Sequence, residues 1–325
     1  MKAAVVVARG KAPVYRDFAD PVPAGDERLI SVAAAALSPV TRSRAAGAHY
    51  SSSAEFPFVA GVAGVGRLDD GRRVYFLLPR APFGGMAEKT VAREAQLIEP
   101  PDDLDDIAAA AIANPGMSSW VALKERAKLK PGETVLVNGA TGAAGRLAVQ
   151  IARHLGASRV VATGRNLAAL KATAALGADS TVHLVEDKDS LEEAFKSEFA
   201  AGIDIVLDYL WGSSAERLLA AVAKAGRGPV PIRFVQIGSM SGANITLSSD
   251  VLRSSAIEIL GSGFGSIRLD DFLRAIGELL RAAAPAGFRI ETRTVPLSEV
   301  EQEWSRDSGR ARIVFRIGEK CFSAL

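Results

Sequence analysis

Three evenly spaced glycines follow a short apolar run in the segment TVLVNGATGAAGRLAVQIARHLG. The run from Thr134 to Val137 has the composition of a buried strand, and the apolar stretch after the glycines ends at Gly156, as a helix would. In such a unit one glycine permits a tight turn, one lets backbone N–H groups approach a ligand, and one lets the helix pack on the strand. Because a helix N-terminus carries partial positive charge, the segment predicts a site for a pyrophosphate.

The residues predicted to form this site are Asn138, Gly139, Ala140, Thr141, Gly142, Ala143, Ala144 and Gly145. Their spacing is GxxGxxG rather than the GxGxxG of dinucleotide-binding proteins. A glycine-rich turn in some other doubly wound protein is therefore the alternative interpretation.

The next β-branched run, RVVATGRN, ends on a cation. Sites for NAD place Asp or Glu near the end of this second strand to bind the ribose 2′-hydroxyl, but Arg165 stands here. A guanidinium fork suits the 2′-phosphate that distinguishes NADP, with Thr163 and Asn166 as supporting hydrogen-bond donors and Gly164 as a further cofactor-binding residue. The sequence predicts NADPH as the cofactor; the alternative is that Arg165 is only a solvated surface charge.

The surrounding sequence indicates which elements hold these two loops. From Thr134 onward β-branched runs alternate with helical stretches, as in a parallel sheet covered on both faces. Up to about Arg93, and again after a helix-like stretch at 269–284, the chain shows short β runs. We predict an α/β fold in which a doubly wound Rossmann domain, 112–266, is inserted into a discontinuous β-rich substrate domain, 1–111 and 267–325. The cleft between two such domains is the expected ligand site.

Composition narrows the class further. The 325 residues include 39 basic and 37 acidic side chains, 48% hydrophobic and 23% charged residues, which is ordinary globular usage. No basic run interleaves with aromatic residues, so a nucleic-acid partner is not expected. The N-terminal apolar run is too short for a signal peptide or a membrane span, and we expect a cytoplasmic protein. The single Cys321 excludes an internal disulfide and a thiolate-rich metal site.

Several further segments occur in one order, among them PFVAGVAGVGRL, NPGMSSWVALKERAKLKPGETVLVNGATGAAG, RFVQIGSMSG and LGSGFGS. Together they resemble the medium-chain dehydrogenase/reductase superfamily, and within it the zinc-free quinone oxidoreductase branch, which includes enone and enoyl-thioester reductases. The resemblance covers nearly the whole chain. It implies a GroES-like fold for the β-rich domain and a homodimer.

The chain departs from the zinc-using relatives at their ligand positions. Ser38 stands where those relatives have a cysteine, and Val62 and Ala63 stand where they have histidine and glutamate. Too few ligands remain for a catalytic zinc, and His49, His154 and His183 have no ligand-like spacing. We expect no metal. Quinone-type relatives often have Asn and Asp where Ser38 and Thr41 stand, and some have Tyr where Leu184 stands, so those contacts are not carried over.

The resemblance also assigns residues to the cofactor and the acceptor. It implies that Ser118 lies beside the nicotinamide; helix capping is the alternative for the serines. It places four further residues at the cofactor: Ile237, Gly238, Ser239 and Phe264. Tyr50 is the predicted catalytic hydrogen-bond donor to the acceptor oxygen, with Ser38 as a second candidate, although a tyrosine often only packs.

These expectations give a zinc-independent NADPH-dependent reductase of a quinone or an α,β-unsaturated carbonyl. Two alternatives stay open. One is an enoyl-thioester reductase, although no Arg/Lys cluster for a CoA arm is visible in the sequence. The other is a non-catalytic NADPH-binding redox sensor.

Overall fold

The computed structural model describes residues 1–50, 52, 55–185, 187–226, 228–306 and 311–318, so Cys321 lies outside the described residues. The chain forms two compact units. The first comprises Met1–Asn114 with Ile276–Leu325, and the second comprises Pro115–Ala275. The domain borders expected from the sequence, after 111 and after 266, stay a prediction.

Strands and helices are numbered along the described part of the chain. The strands are β1 (Lys2–Val6), β2 (Val14–Asp17), β3 (Glu27–Ala36), β4 (Phe58–Val59), β5 (Ala63–Arg67), β6 (Arg73–Leu77), β7 (Lys89–Arg93), β8 (Leu97–Ile98), β9 (Thr134–Asn138), β10 (Arg159–Gly164), β11 (Ser180–His183), β12 (Ile205–Asp208), β13 (Ile232–Gln236), β14 (Ile257–Gly261), β15 (Thr292–Pro296) and β16 (Arg312–Arg316). The helices are α1 (Pro39–Ala45), α2 (Asp106–Val121), α3 (Ala143–His154), α4 (Leu167–Lys171), α5 (Lys188–Gly202), α6 (Gly212–Lys224), α7 (Ser249–Ser254), α8 (Leu269–Ala283) and α9 (Val300–Trp304).

The second unit is built on a parallel sheet with the strand order β11-β10-β9-β12-β13-β14. Every pairing between these strands is parallel. Reading β9 as the first strand, the order is 3-2-1-4-5-6, which is that of dinucleotide-binding doubly wound proteins. The α/β class and the doubly wound sheet predicted from the sequence are confirmed.

Burial explains why these runs form the middle of that sheet. The four residues of β12 are all buried, and in β9 only the first residue is not. Central strands of a parallel sheet have helices on both faces and therefore consist of near-continuous apolar runs. One face packs on a cluster that includes Phe195 and Phe199 of α5 and Leu218 of α6. This packing fixes the carboxyl ends of β9, β10 and β12, where the predicted site residues lie.

Two helical regions differ from the sequence expectation. In the helical stretch LAALKATAALGA, which follows β10, α4 gives way to a 3-10 turn at Ala172–Leu176, and Gly177 ends this turn with φ 109°. The buried Thr173 hydroxyl donates to the Leu170 carbonyl at 2.6 Å, a bond three residues back that favours this tighter winding. Helix α5 was not singled out from the sequence; Asp187 caps it by accepting from the backbone N–H of Asp189 and Ser190.

The first unit is the β-rich part of the chain. One sheet has the order β15-β16-β3-β5-β6-β8, with β7 also paired to β3, and a smaller sheet has the order β2-β1-β4. Its core includes Ile30, Phe76, Trp304 and Phe315, so that residues from both ends of the chain share one core. The expected second, discontinuous β-rich part of the fold is thereby confirmed. Within the described ranges, no helix has the length and apolar character needed to cross a membrane.

Candidate cofactor and acceptor sites

The glycine turn between β9 and α3 has the geometry that its sequence predicts. Gly139 has φ 94°, a left-handed conformation that favours glycine. A Cβ on Gly145 would lie 2.2 Å from the Gly139 carbonyl oxygen, so only glycine lets α3 pack this close to the turn. Gly142 is the N-cap of α3, and a Cβ there would meet no atom within 4 Å. The turn therefore has open space at the start of α3, where a ligand phosphate could approach the backbone.

Hydrogen bonds among buried residues hold the glycine turn between β9 and α3 in place. The Thr163 hydroxyl donates to Asn138 Oδ1 at 2.7 Å and accepts from the Gly139 N–H at 3.1 Å. The Ala140 N–H donates to the Thr163 carbonyl at 2.8 Å. Asn138, Ala140 and Thr163 are all fully buried. Because the Thr163 hydroxyl donates to Asn138, the residue helps to fix the turn. Its predicted role as a hydrogen-bond donor to the cofactor stays a prediction.

A buried carboxylate completes this support. Asp208 Oδ1 accepts from the Asn138 side-chain amide at 2.8 Å and from the Leu210 N–H at 3.0 Å, and the Trp211 N–H donates to both carboxylate oxygens. Ser214 also bonds to the Asn138 side chain. Burial raises the pKa of Asp208 above its usual value, and the hydrogen bonds from Leu210, Asn138 and Trp211 oppose that rise. The sequence interpretation missed Asp208, although an Asp at the end of the apolar run DIVLD was a signal that could have found it.

The end of β10 presents the predicted 2′-phosphate contact. The Arg165 side chain is exposed, and among the described residues no acidic side chain forms an ion pair with it. Its carbonyl oxygen bonds to His183 Nε2 at 2.9 Å, which ties the loop to the end of β11. Asn166 caps α4 by accepting from the Ala169 N–H at 2.9 Å. A Cβ on Gly164 would lie 2.4 Å from the Thr141 methyl group, so the two loops pack closely.

The loop after β13 lies against the same carboxyl end. The backbone N–H groups of Ile237 and Gly238 both donate to the Asp208 carbonyl oxygen, at 2.8 and 3.1 Å. A Cβ on Gly238 would lie 2.8 Å from the Tyr209 carbonyl oxygen, so the residue type is required by packing. Ser239 is exposed. The structure therefore brings this loop beside the residues that follow β12.

Ser118 and Phe264 also have contacts within the second unit. The Ser118 hydroxyl donates to the Pro115 carbonyl inside α2 at 2.7 Å and lies 3.4 Å from the Tyr209 hydroxyl. Burial raises the pKa of Tyr209, which keeps the phenol protonated. Phe264 follows β14, and its ring packs on Phe272 with centroids 5.2 Å apart. The roles predicted for Ser118 and Phe264 beside the nicotinamide stay predictions.

In the first unit, Ser38 is a helix cap. Its hydroxyl accepts from the Thr41 N–H at 3.0 Å and lies 2.8 Å from the Thr41 hydroxyl, and both side chains are 2% exposed. Pro39 occupies the first turn of α1, as is common directly after a cap. These contacts give Ser38 a structural role as the cap of α1. Its catalytic role stays a prediction.

Tyr50 lies on the outside of the first unit. Its side chain is 70% exposed, and its ring stacks on His49 with centroids 4.2 Å apart. Its catalytic role stays a prediction.

An open groove in the first unit lies next to the positions where zinc-using relatives have ligands. Thr41 and Val62 both line it, together with the half-buried Arg44. Apart from Glu55, most of the other lining side chains are aromatic or aliphatic. They include Phe58, Leu78, Pro82 and Phe83. A mostly apolar groove with a few polar groups is typical of a small-molecule site. Within the described residues, no group of three or more His, Cys, Asp or Glu side chains could hold a metal ion.

Comparisons with known proteins agree with this arrangement. A family model described as "Zinc-binding dehydrogenase" matches residues 143–281. A curated protein of Emericella nidulans, "Probable NADPH-dependent quinone reductase tdiC", is 30% identical over 348 residues, covering 93% of this chain and 96% of that protein. The quinone oxidoreductase of Lama guanicoe is 29% identical over 252 residues, covering 74% of this chain and 73% of that protein.

A solved structure extends the likeness to three dimensions. The quinone oxidoreductase of Thermus thermophilus, solved also in complex with NADPH, is 28% identical and superposes with a TM-score of 0.81 over 98% of this chain and 100% of that chain.

The doubly wound sheet, its glycine turn and the β-rich unit define a dehydrogenase-type protein of two units. With the full-length similarity to the Emericella nidulans reductase, the chain belongs to the medium-chain dehydrogenase/reductase superfamily, in its quinone oxidoreductase branch. The resemblance seen in the sequence is confirmed, and the chain is an oxidoreductase. The family model described as "Zinc-binding dehydrogenase" matches residues 143–281 and so does not include Ser38, Val62 or Ala63. The match therefore gives no information about a catalytic zinc.

Proposed function

We propose that the chain transfers hydride from NADPH to a quinone or an α,β-unsaturated carbonyl without the help of zinc. The observation that carries this proposal is the pairing of an open Gly142 at the start of α3 with an exposed Arg165 after β10. The first offers backbone N–H groups to a pyrophosphate, and the second offers a guanidinium to the 2′-phosphate.

The residues present fit this cofactor. A Cβ would find open space at Gly142, whereas at Gly145 it would collide with the loop and at Gly139 it would lie in tight contact with Leu210 at 3.0 Å. The open position is therefore the one that a phosphate group could fill. Arg165 stands where an acid would select NAD. The Emericella nidulans relative is named a probable NADPH-dependent quinone reductase, and the Thermus thermophilus relative was solved in complex with NADPH. Both support the same choice.

Zinc independence rests on the side chains at the ligand positions of zinc-using relatives. Ser38 offers a hydroxyl that already caps α1, and Val62 is a buried apolar residue. Neither supplies the thiolate or imidazole that a catalytic zinc requires. Reduction of an activated double bond does not need a Lewis acid when a hydrogen-bond donor stabilises the developing oxyanion. We propose Tyr50 as that donor.

The proposed reaction consumes one hydride and one proton for each acceptor molecule. NADPH supplies a hydride when bound, and a proton from solvent completes the reduction of an enone or of a quinone to its hydroquinone. The chain must hold the acceptor carbon within about 3 to 3.5 Å of the hydride donor. We propose that the groove in the first unit binds the acceptor, because its apolar walls suit a planar ring or an alkenyl chain.

Steady-state NADPH oxidation tests the acceptor class. We expect turnover with 1,4-benzoquinone, 9,10-phenanthrenequinone or an alkenal. Preference for crotonyl-CoA would instead indicate an enoyl-thioester reductase. NADPH binding without turnover of any acceptor would indicate a redox sensor. Activity that is lost on chelation and restored by zinc would overturn zinc independence.

Arg165→Ala tests the cofactor assignment. Loss of a charged contact to the 2′-phosphate should raise the KM for NADPH by about tenfold or more while sparing NADH. Lys171→Ala is a matched control, because Lys171 is an exposed cation nearby on α4. Equal effects of Arg165→Ala on NADPH and NADH would refute the 2′-phosphate contact.

A further inference from the structure

Arg44 is a half-buried cation on the groove of the first unit. It lies in the last turn of α1, and its side chain lines the groove together with Thr41. Burial lowers the pKa of Arg44, but a guanidinium stays charged at any physiological pH. A charge held partly out of water is costly unless something pairs with it.

No protein group in the described part of the chain fills that role. Among the described residues no carboxylate forms an ion pair with Arg44, whereas Arg80 of the same unit pairs with Glu27 at 2.7 Å. His49 is an ionisable neighbour of Arg44. Burial, together with the positive charge of Arg44, lowers the pKa of the His49 imidazole. The ionisable group near Arg44 is therefore a second basic group rather than a counter-ion.

The groove also contains one acid, Glu55. Its side chain is exposed, so water and salt screen it more than they screen the half-buried Arg44. The remaining walls are apolar, with Phe58, Leu78 and Phe83 among them. An apolar groove with one partly desolvated guanidinium is suited to a molecule that is hydrophobic along most of its length and anionic at one point.

We propose that Arg44 selects acceptors that carry a carboxylate beside the quinone or enone. This assignment rests on the proposed function and names the substrate class of its acceptor groove. The planar fork of Arg44 would hold the carboxylate through two N–H···O bonds. The reducible double bond would then lie along the apolar walls.

Two matched pairs of acceptors test the proposal on the intact chain. They are 1,4-benzoquinone-2-acetate with its methyl ester, and 4-oxo-2-pentenoate with its methyl ester. Each ester keeps the reducible group and removes the charge. Because esterification also activates the conjugated double bond of 4-oxo-2-pentenoate, each variant is compared with wild type rather than acid with ester alone. The readout is the ratio of kcat/KM for the acid to kcat/KM for the ester.

We expect Arg44→Gln to lower that ratio by about tenfold or more, with the loss confined to the acid. Arg44→Lys should retain part of the preference for the acid, because the positive charge remains. The rest of the preference should be lost with the planar guanidinium. Glu55→Gln should raise the ratio modestly by removing a repulsive charge. Arg16→Gln is the control, since Arg16 is an exposed cation on β2 of the same unit.

The outcomes separate this proposal from the function on which it rests. If neither acids nor esters oxidise NADPH, the proposed function fails. If the esters are reduced and Arg44→Gln leaves the ratio unchanged, or slows acid and ester equally, the function stands and the role of Arg44 is overturned. Ester turnover by Arg44→Gln also shows that the variant is folded.

Discussion

The side-chain amide of Asn138 donates a hydrogen bond to Asp208 Oδ1 across 2.8 Å, and the two residues are directly paired at the ends of β9 and β12. Both are fully buried. Through Thr163, the same amide group is linked to the Gly139 N–H at the start of the glycine turn. The shape of the proposed phosphate site therefore depends on a carboxylate on the neighbouring strand.

Removal of the Asp208 carboxylate should loosen the turn. Asp208→Ala would leave the N–H groups of Leu210 and Trp211, and the Asn138 amide, without their acceptor, at a cost of roughly 1 to 3 kcal/mol in the free energy of unfolding. Asp208→Asn keeps an oxygen in the Oδ1 position and should cost less than about 1 kcal/mol. Urea unfolding monitored by circular dichroism measures both, and equal losses for the two variants would contradict the assigned contacts.

The same pair predicts a pH dependence of stability. Because burial raises the pKa of Asp208 in the folded chain, the folded state binds its proton more tightly than the unfolded state. Its contribution to stability is complete below the unfolded value of 3.8 and is lost as pH rises through the folded pKa. Carboxylates such as Asp187, whose pKa is lowered by hydrogen bonds from Ser190, act in the opposite direction.

The difference in the free energy of unfolding between wild type and Asp208→Asn isolates the contribution of the Asp208 proton. We expect the stability of wild type relative to the variant to fall as pH rises from about 3 to 7. The measurement is the free energy of unfolding of both chains across that range. A difference that stays flat would show that Asp208 has the same pKa in both states.

Much of the fold could be predicted because it depends on local patterns. Buried parallel strands are apolar runs, and the turn glycines are required by a positive φ at Gly139 and a close approach at Gly145. Both signals lie within a few residues of the elements that they specify. The end of helix α4 was less predictable, since the 3-10 turn there is accompanied by a hydrogen bond from the Thr173 hydroxyl to the Leu170 carbonyl that the apolar pattern does not reveal.

The site was only partly predictable because its support joins residues far apart in sequence. Asn138 and Asp208 are 70 positions apart, and nothing in either segment states that their strands are neighbours. Ser38 illustrates the opposite case. A serine directly before a proline and three positions before Thr41 is a capping pattern, so the structural role of Ser38 could be predicted from the local sequence alone.

Substitution of Ser38 separates capping from catalysis. Ser38→Ala should lower the free energy of unfolding by about 1 kcal/mol, whereas Ser38→Gly should cost only a few tenths because glycine is tolerated at an N-cap. Neither variant should change kcat by more than roughly twofold if the hydroxyl only caps α1. Thermal melting and steady-state NADPH oxidation measure the two effects. A large fall in kcat for Ser38→Gly with its melting temperature preserved would support the catalytic role.

Two glycines of one turn should respond differently to the same added methyl group. In Gly142→Ala the new Cβ enters open space at φ −79°, so the fold should lose no more than about 1 kcal/mol. In Gly145→Ala the Cβ would lie 2.2 Å from the Gly139 carbonyl oxygen and 2.6 Å from the Ala140 Cα, and overpacking should cost about 1 to 3 kcal/mol or more.

Cofactor binding distinguishes the two variants further. The Gly142→Ala methyl group would occupy the space proposed for a phosphate, so the Kd for NADPH should rise about tenfold while the melting temperature stays close to wild type. Gly261→Ala is the control, because a Cβ on that glycine of β14 also meets no atom within 4 Å. Calorimetric titration with NADPH gives the Kd of each chain. If Gly142→Ala bound NADPH as tightly as Gly261→Ala, the open space at the start of α3 would not be where the pyrophosphate binds.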